Sequence, residues 1–306
     1  MIRDWRVTQS FASPALWTRV VRHADEHGIG ADARFPTWTR QLFSAGAPVP
    51  GHIVNYLHQQ PASHLELHTP YGATEALPVA SISSREVFER TGAKTAAGAG
   101  TCVGTRFSGI DWRVIAIEDG PLTDIADTRE LPRGEIGELM VRGPVVTRRY
   151  VTRTDANALH KVEDGETFWH RMGDVGYLDE HDRFWICGRK THRVTAADGV
   201  MFTLPCEAIF NGHPAIYRSA LIGVGPAGQQ IPVMVCEPWP ESRPQSRGDR
   251  QRLVAELVAR AAASPLTAPI SADHILLRDA LPVSIRHYAY FFREKLRGWC
   301  ANQVGV

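Results

Sequence analysis

A carboxylate and a guanidinium bracket one stretch of this 306-residue chain: Asp174, in Arg171-Met172-Gly173-Asp174, and Arg189, in Gly188-Arg189-Lys190. Between them Val175 and Tyr177, then Phe184, Trp185 and Ile186, have the composition of two short strands around the turn Asp179-Glu180-His181-Asp182. The spacing predicts a hairpin with Asp174 at its start and Arg189 just past its end, so that the two share an edge. Such a pair suits a ligand with a diol and a phosphate, because a carboxylate accepts from two hydroxyls and a guanidinium donates a fork of N–H groups. Taken alone, the same residues are also compatible with a surface hairpin and an incidental ion pair.

Two further blocks stand upstream. Tyr71-Gly72-Ala73-Thr74-Glu75 follows His68-Thr69-Pro70, and Gly137-Glu138-Leu139-Met140-Val141-Arg142-Gly143-Pro144 is followed by Tyr150. In order and spacing the three blocks resemble the acyl-adenylate-forming (AMP-binding) superfamily of acyl-CoA synthetases, luciferases and peptide-synthetase adenylation domains. The wording of Tyr71-Gly-Ala-Thr-Glu-Ala-Leu-Pro-Val-Ala-Ser, His170-Arg-Met-Gly-Asp and Leu204-Pro-Cys-Glu-Ala-Ile-Phe looks most like the β-lactone synthetase branch of bacterial olefin biosynthesis.

The resemblance implies an ATP/AMP site with Mg²⁺. Gly46 and Ala47 would lie near the base and acyl group, Tyr71 and Gly72 along the adenine, Thr74 on phosphate, Glu75 on the metal, and Asp174 with Arg189 on the ribose. Thr74 and Glu75 would be the catalytic pair, and Thr191 the hinge pivot. These roles make chemical sense: an aromatic face stacks on a base, a hydroxyl donates to phosphate, and a carboxylate suits hard Mg²⁺. Intact relatives activate a fatty or β-hydroxy fatty acid as acyl-AMP and pass it to an internal hydroxyl, closing a β-lactone, or to CoA. Partner enzymes of a lipid pathway are implied as well.

The resemblance also sets expectations of loss. The Ser/Thr/Gly-rich, Lys-containing loop that holds the ATP β- and γ-phosphates would precede the region matching Ser13-Pro14, and no G-x-x-x-x-G-K-[ST] occurs. The chain therefore matches the C-terminal half to two-thirds of such an enzyme, as a fragment or truncated product would. Where relatives carry a terminal catalytic Lys, this chain has Tyr290, and Lys295 is on another helix face. A neutral phenol cannot replace a cation that meets charge building on the carboxylate and α-phosphate. The polypeptide alone is expected to be impaired or inactive; the alternative is a catalytically dead binding or assembly module.

Bulk properties narrow the classes. Lys+Arg of 34 against Asp+Glu of 33 leaves a net charge of +1, which attracts neither nucleic acid nor an anionic membrane. The cysteines at 102, 187, 206, 236 and 300 are odd in number and form no C-x-x-C, so neither a disulfide framework nor a zinc site is suggested. No stretch reaches the ~18 apolar residues of a membrane span, and the N-terminus has no signal-peptide run. A reducing cytoplasm is the simplest location.

The elements that must position these residues follow from local signals. Ser13-Pro14 caps a helix whose apolar face is expected at Leu16, Val20, Val21 and Ala24, ending at Gly28. It carries His23-Ala-Asp-Glu26-His27, which matches H-x-x-E-H but reads as a solvated face. Residues 41–46 form a strand and a small-residue turn, 49–57 a helix, and Leu65, Leu67 and Thr69 a strand that stops at Tyr71-Gly72. From about residue 86 short β pieces, with a Gly-rich connection at 98–104, predict a small antiparallel barrel or sheet. The expected class is α/β (α+β): a partial large domain over 1–187 (α/β to 85, β-rich from 86), a hinge at 188–193, and a small α+β domain over 194–306. In the last part Pro205 is expected at the first helical position with Glu207 in the first turn. Gly223-x-Gly225-x-x-Gly228 leads into a strand and reads as a hairpin turn, not a dinucleotide fingerprint. A helix over 252–263, a strand at 275–277 and a last helix over 289–300 complete the chain.

Overall fold

The computed structural model describes residues 4–28, 38–46, 49, 51–58, 65–283 and 291–305; Ala47 and Tyr290 lie outside the described residues. The chain forms two compact units. One holds the described residues up to 93 with Cys102–Ile186, and the other holds Lys94–Thr101 with the described residues of 187–283 and 291–305.

The first unit is built on a mixed sheet. β1 (Gln9–Ala12), β2 (Gln41–Ser44) and β3 (Glu66–Ala73) run parallel, and β3 then turns back antiparallel into β4 (Ala76–Ser83). Helix α1 (Pro14–Glu26) follows β1: the Ser13 hydroxyl accepts from the Leu16 N–H at 3.4 Å and Pro14 fills the first turn. Its buried face is Trp17, Val21 and Ala24, whereas Leu16 and Val20 are exposed. The Trp17 indole N–H donates to the Phe43 carbonyl at 3.2 Å and turns that face onto β2. Hydrophobic spacing located the helix and, in Val21 and Ala24, half of its inward face; the tryptophan contact puts Trp17 inside in place of Leu16 and Val20. α2 (Gly51–His58) adds Ile53 and Val54 to the buried residues, and Ile53 joins the core of Leu42, Leu65 and Leu67.

The antiparallel part continues with β5 (Thr101–Arg106), β6 (Asp111–Ile115) and β7 (Gly137–Arg142). Helix α3 (Asp155–His160) leads into β8 (Lys161–Asp164), β9 (Thr167–Leu178) and β10 (Arg183–Arg189). The order across the sheet is β1-β2-β3-β4-β5-β10-β9-β7-β6, with β8 on β9. The Gly-rich stretch 98–104 therefore includes most of a strand, β5, and is not merely a connection. β9 and β10 form the expected hairpin around 179–182, where Asp182 takes a left-handed φ of 57°. The Asp179 carboxylate accepts from the His181 and Arg183 N–H groups, the Arg183 guanidinium and the Trp185 indole. Burial raises its pKa, but these donors outweigh that and hold it at about 2.

In the second unit β11 (Val194–Ala196) pairs with β12 (Gly199–Met201), and α4 (Thr203–Asn211) precedes the hairpin of β13 (Ile216–Val224) and β14 (Ile231–Pro238). The triple-glycine stretch is the turn of that hairpin, with Gly225 and Gly228 at φ 96° and 83°. After α5 (Arg247–Ala262), β15 (Ile275–Leu277) adds parallel to β14, and α6 (Arg293–Val304) closes the fold. Side chains alternate between two cores. Leu221, Met234 and Cys236 pack with α4 and α5, whereas Ala220, Ile222 and Val235 pack with Leu296 and Cys300 of α6. Pro205 is the third helical residue and not the first, and Glu207 sits buried mid-helix and not in the first turn, because α4 already starts at Thr203. It accepts from the Leu221 N–H at 2.9 Å and pairs with Arg293 at 2.7 Å. All five cysteines are buried, and none is in a disulfide. Among the described residues no helix is long and apolar enough to cross a membrane.

Candidate functional site

Tyr71 to Glu75 form the apex of the β3–β4 hairpin. β3 does not stop at Tyr71-Gly72; it runs through them to Ala73, with an irregularity between Tyr71 and Ala73. Gly72 is required there, since a Cβ would stand 2.4 Å from the Ala76 carbonyl oxygen. Thr74 is exposed and Glu75 half-buried at the tip.

Asp174 lies on β9, which begins seven residues earlier at Thr167, so it stands inside the strand rather than at the hairpin's start. The pairing of β7 with β9 slips between Glu138↔Val175 and Met140↔Arg171, so the stretch 172–174 bulges, with Gly173 at φ 68°. Bulges re-aim side chains beside functional sites. Here the Asp174 carboxylate, 5% exposed, accepts from the Tyr71 hydroxyl at 2.6 Å, 103 residues away in sequence. The Tyr71 ring rests against Phe184, centroids 6.0 Å apart, and Phe184 against Trp112 at 6.3 Å.

A second group surrounds Glu75. The Tyr150 hydroxyl donates to its Oε1 at 2.8 Å, and the Thr147 N–H donates to its backbone carbonyl at 2.8 Å. The Lys161 ammonium, at the start of β8, donates to the Thr147 carbonyl and lies 5.6 Å from the Tyr150 ring centre. Burial lowers the Lys161 pKa to about 8, against the pull of Glu75. His170 is buried, and desolvation with the Lys161 charge lowers it to about 4; its Nδ1 is 3.1 Å from the His160 carbonyl. Burial raises the Glu75 carboxyl, but bonds from Tyr150 and its own backbone, with the charges of His170 and Lys161, leave it below the usual value. Beneath this group Arg171 and Glu138 form a wholly buried pair at 2.6 Å, and the guanidinium also bonds the Gly120 and Leu159 carbonyls.

The structure thus brings Tyr71, Gly72, Thr74 and Glu75 together with Asp174. Gly46 follows β2 with φ 92° and is exposed, Arg189 ends β10, and Thr191 sits in a 3-10 turn over Lys190–His192. Sequence reasoning noted Tyr150 only as a marker and missed Thr147, Lys161 and His160. The signal available for Lys161 was a cation at the head of the short charged strand Lys161-Val162-Glu163-Asp164, too weak to single out. Near Glu75 a single carboxylate with spare lone pairs and an adjacent hydroxyl fit a Mg²⁺ ion whose other ligands are phosphate oxygens and water.

Residues 1–151 match the family described as AMP-binding enzyme. The chain is 42% identical over 308 residues to an olefin beta-lactone synthetase of Stenotrophomonas maltophilia, covering 99% of this chain and 53% of the relative. It is also 42% identical to that of Xanthomonas campestris pv. campestris, over 97% of this chain and 52% of the relative. Among solved structures, the amide bond synthetase McbA from Marinactinospora thermotolerans superposes with a TM-score of 0.75 at 19% identity, over 97% of this chain and 54% of that one. The o-succinylbenzoate coenzyme A synthetase from Bacillus subtilis, in complex with AMP, gives 0.70 at 20% identity, over 97% and 52%. At these identities the structural likeness concerns the fold. The chain spans about half the length of the curated relatives it matches.

Proposed function

Because the chain belongs to the AMP-binding, acyl-adenylate-forming enzyme family, we propose that it carries the nucleotide-holding part of a ligase that activates a carboxylic acid with ATP. The observation that carries this reading is the 2.6 Å contact between Tyr71 and Asp174, which joins two separate sequence blocks at one place. In this reading Asp174, with Arg189, takes the ribose hydroxyls, the Tyr71 ring and Gly72 lie along the adenine, and Gly46 and Ala47 border the base and acyl group. Thr74 donates to phosphate, and Glu75 holds Mg²⁺. Bound Mg²⁺ would neutralise phosphate charge as the carboxylate attacks. Thr191 is the pivot between a large domain ending near 187 and a small one from 194.

The similarity to olefin β-lactone synthetases supports a fatty or β-hydroxy fatty acid as substrate, with the substrate's own hydroxyl as second nucleophile; CoA is the other acceptor to test. Partner enzymes of lipid synthesis belong to the same reading. Five buried, reduced cysteines support a reducing cytoplasm.

The 306-residue polypeptide is proposed to bind nucleotide yet adenylate poorly. Tyr290 stands where the resembled family carries a catalytic Lys, and it supplies no cation. Loss of one preorganised electrostatic contact typically costs a factor of ~10²–10³ in rate. Tyr290 equally favours a second reading, a binding module without turnover. Pyrophosphate release with ATP, Mg²⁺ and a long-chain β-hydroxy acid separates the two, run beside Tyr290→Lys. Activity gained only by the variant supports an impaired ligase; none in either, with AMP still bound, supports the module. Failure of AMP to bind at all would sink the nucleotide reading.

A further inference from the structure

We infer that the Tyr71 hydroxyl is a positioning group for Asp174, fixing its carboxylate so that a cis-diol meets both carboxylate oxygens, in addition to any stacking by the Tyr71 ring. The inference rests on the nucleotide reading of this site. Three observations carry it. Asp174 is buried within a one-against-three irregularity of the β7–β9 pairing, where Gly173 has a left-handed φ of 68°. Such a backbone departs from the regular strand alternation that would otherwise fix the direction of the side chain. The phenol bonds Oδ2 at 2.6 Å, the distance of a charge-assisted O–H···O⁻ bond. The phenol is itself held: its ring rests on Phe184, which rests on Trp112, and its backbone sits in the irregular β3 segment that Gly72 alone can form.

A carboxylate has about four lone-pair sites, so the phenol bond to Oδ2 does not itself exclude two ribose hydroxyls. The chemistry recognised is therefore a vicinal diol presented edge-on, and the phenol's contribution is to remove the rotational freedom of the acceptor. A purely structural role for the hydroxyl would affect stability without affecting diol selection.

The test compares AMP with 2′,3′-dideoxy-AMP by calorimetry, for the full chain and for Tyr71→Phe, which keeps the ring. The unmodified chain is expected to prefer AMP. In Tyr71→Phe, AMP affinity should fall about tenfold while the dideoxy nucleotide changes less than about twofold, so the preference collapses. An unchanged preference in the variant would overturn the inference and leave the nucleotide reading standing. A preference absent already in the unmodified chain overturns the ribose reading as well. The second readout needs no ligand: a crystal structure of Tyr71→Phe should show the Asp174 carboxylate rotated or in two rotamers. A carboxylate unmoved there refutes the positioning role, whatever the binding data.

Discussion

Tyr150 and Glu75, 75 residues apart in sequence, are joined by a 2.8 Å hydrogen bond at the tip of the β3–β4 hairpin. The Thr147 N–H holds the Glu75 carbonyl at the same distance, so the turn is fixed at both its backbone and its side chain. The proposed metal ligand is thus preorganised by a segment that carries none of the chemistry itself.

Removing the phenol should free the carboxylate without emptying the site. Tyr150→Phe is expected to weaken Mg²⁺-dependent ATP binding by about 1.5–3 kcal/mol, the worth of a hydrogen bond to a charged group. AMP binding without Mg²⁺ should stay unchanged. Calorimetry with and without the metal reads both, and equal losses in the two would remove Glu75 from the metal.

His170 makes the first unit acid-sensitive. Its folded pKa of about 4 lies below the ordinary value of 6.5, so the unfolded chain binds the proton first as pH falls. The stability it permits is full above pH 6.5 and drains away between 6.5 and 4, on the order of 2 kcal/mol by pH 4.5. Urea melts followed by intrinsic fluorescence should show this slope, and His170→Gln should flatten it. A variant with the same slope as the parent would place the sensitivity elsewhere.

Glu207 and Arg293 form the corresponding buried pair of the second unit, with the Leu221 N–H and C=O bonded to the same two side chains. Arg293→Met strands a carboxylate whose pKa burial already raises, and about 3–5 kcal/mol should be lost at pH 7. Because the folded carboxyl takes a proton more readily than the unfolded one, the loss should shrink near pH 4. Equal losses at both pH values would mean that the carboxylate finds another partner.

Gly72→Ala tests the hairpin itself. The added Cβ would stand 2.4 Å from a backbone oxygen that cannot swing away as a flexible side chain would. A loss of roughly 1–3 kcal/mol is expected from the forced backbone shift, together with weaker nucleotide binding through a displaced Tyr71. Unchanged melting and binding would show that the hairpin tip is plastic.

The sequence by itself was enough for whatever rests on near neighbours. Ser13-Pro14 capped α1, the 179–182 and 225–230 turns closed hairpins, and the Tyr71–Glu75 and Arg171–Asp174 blocks carried the family resemblance, because caps, turns and motifs are short-range. Tertiary structure decided the rest. Trp17 reaching Phe43 chose the inward face of α1, and a slip in the β7–β9 pairing aimed Asp174 at Tyr71. Folding brought Tyr150, Thr147 and Lys161 to Glu75, and α6 turned Glu207 into half of a buried pair. Each of these rests on contacts between residues far apart in the chain. Their strength comes from burial and from hydrogen bonds that exist only once the strands are paired, and no periodicity of the sequence records them.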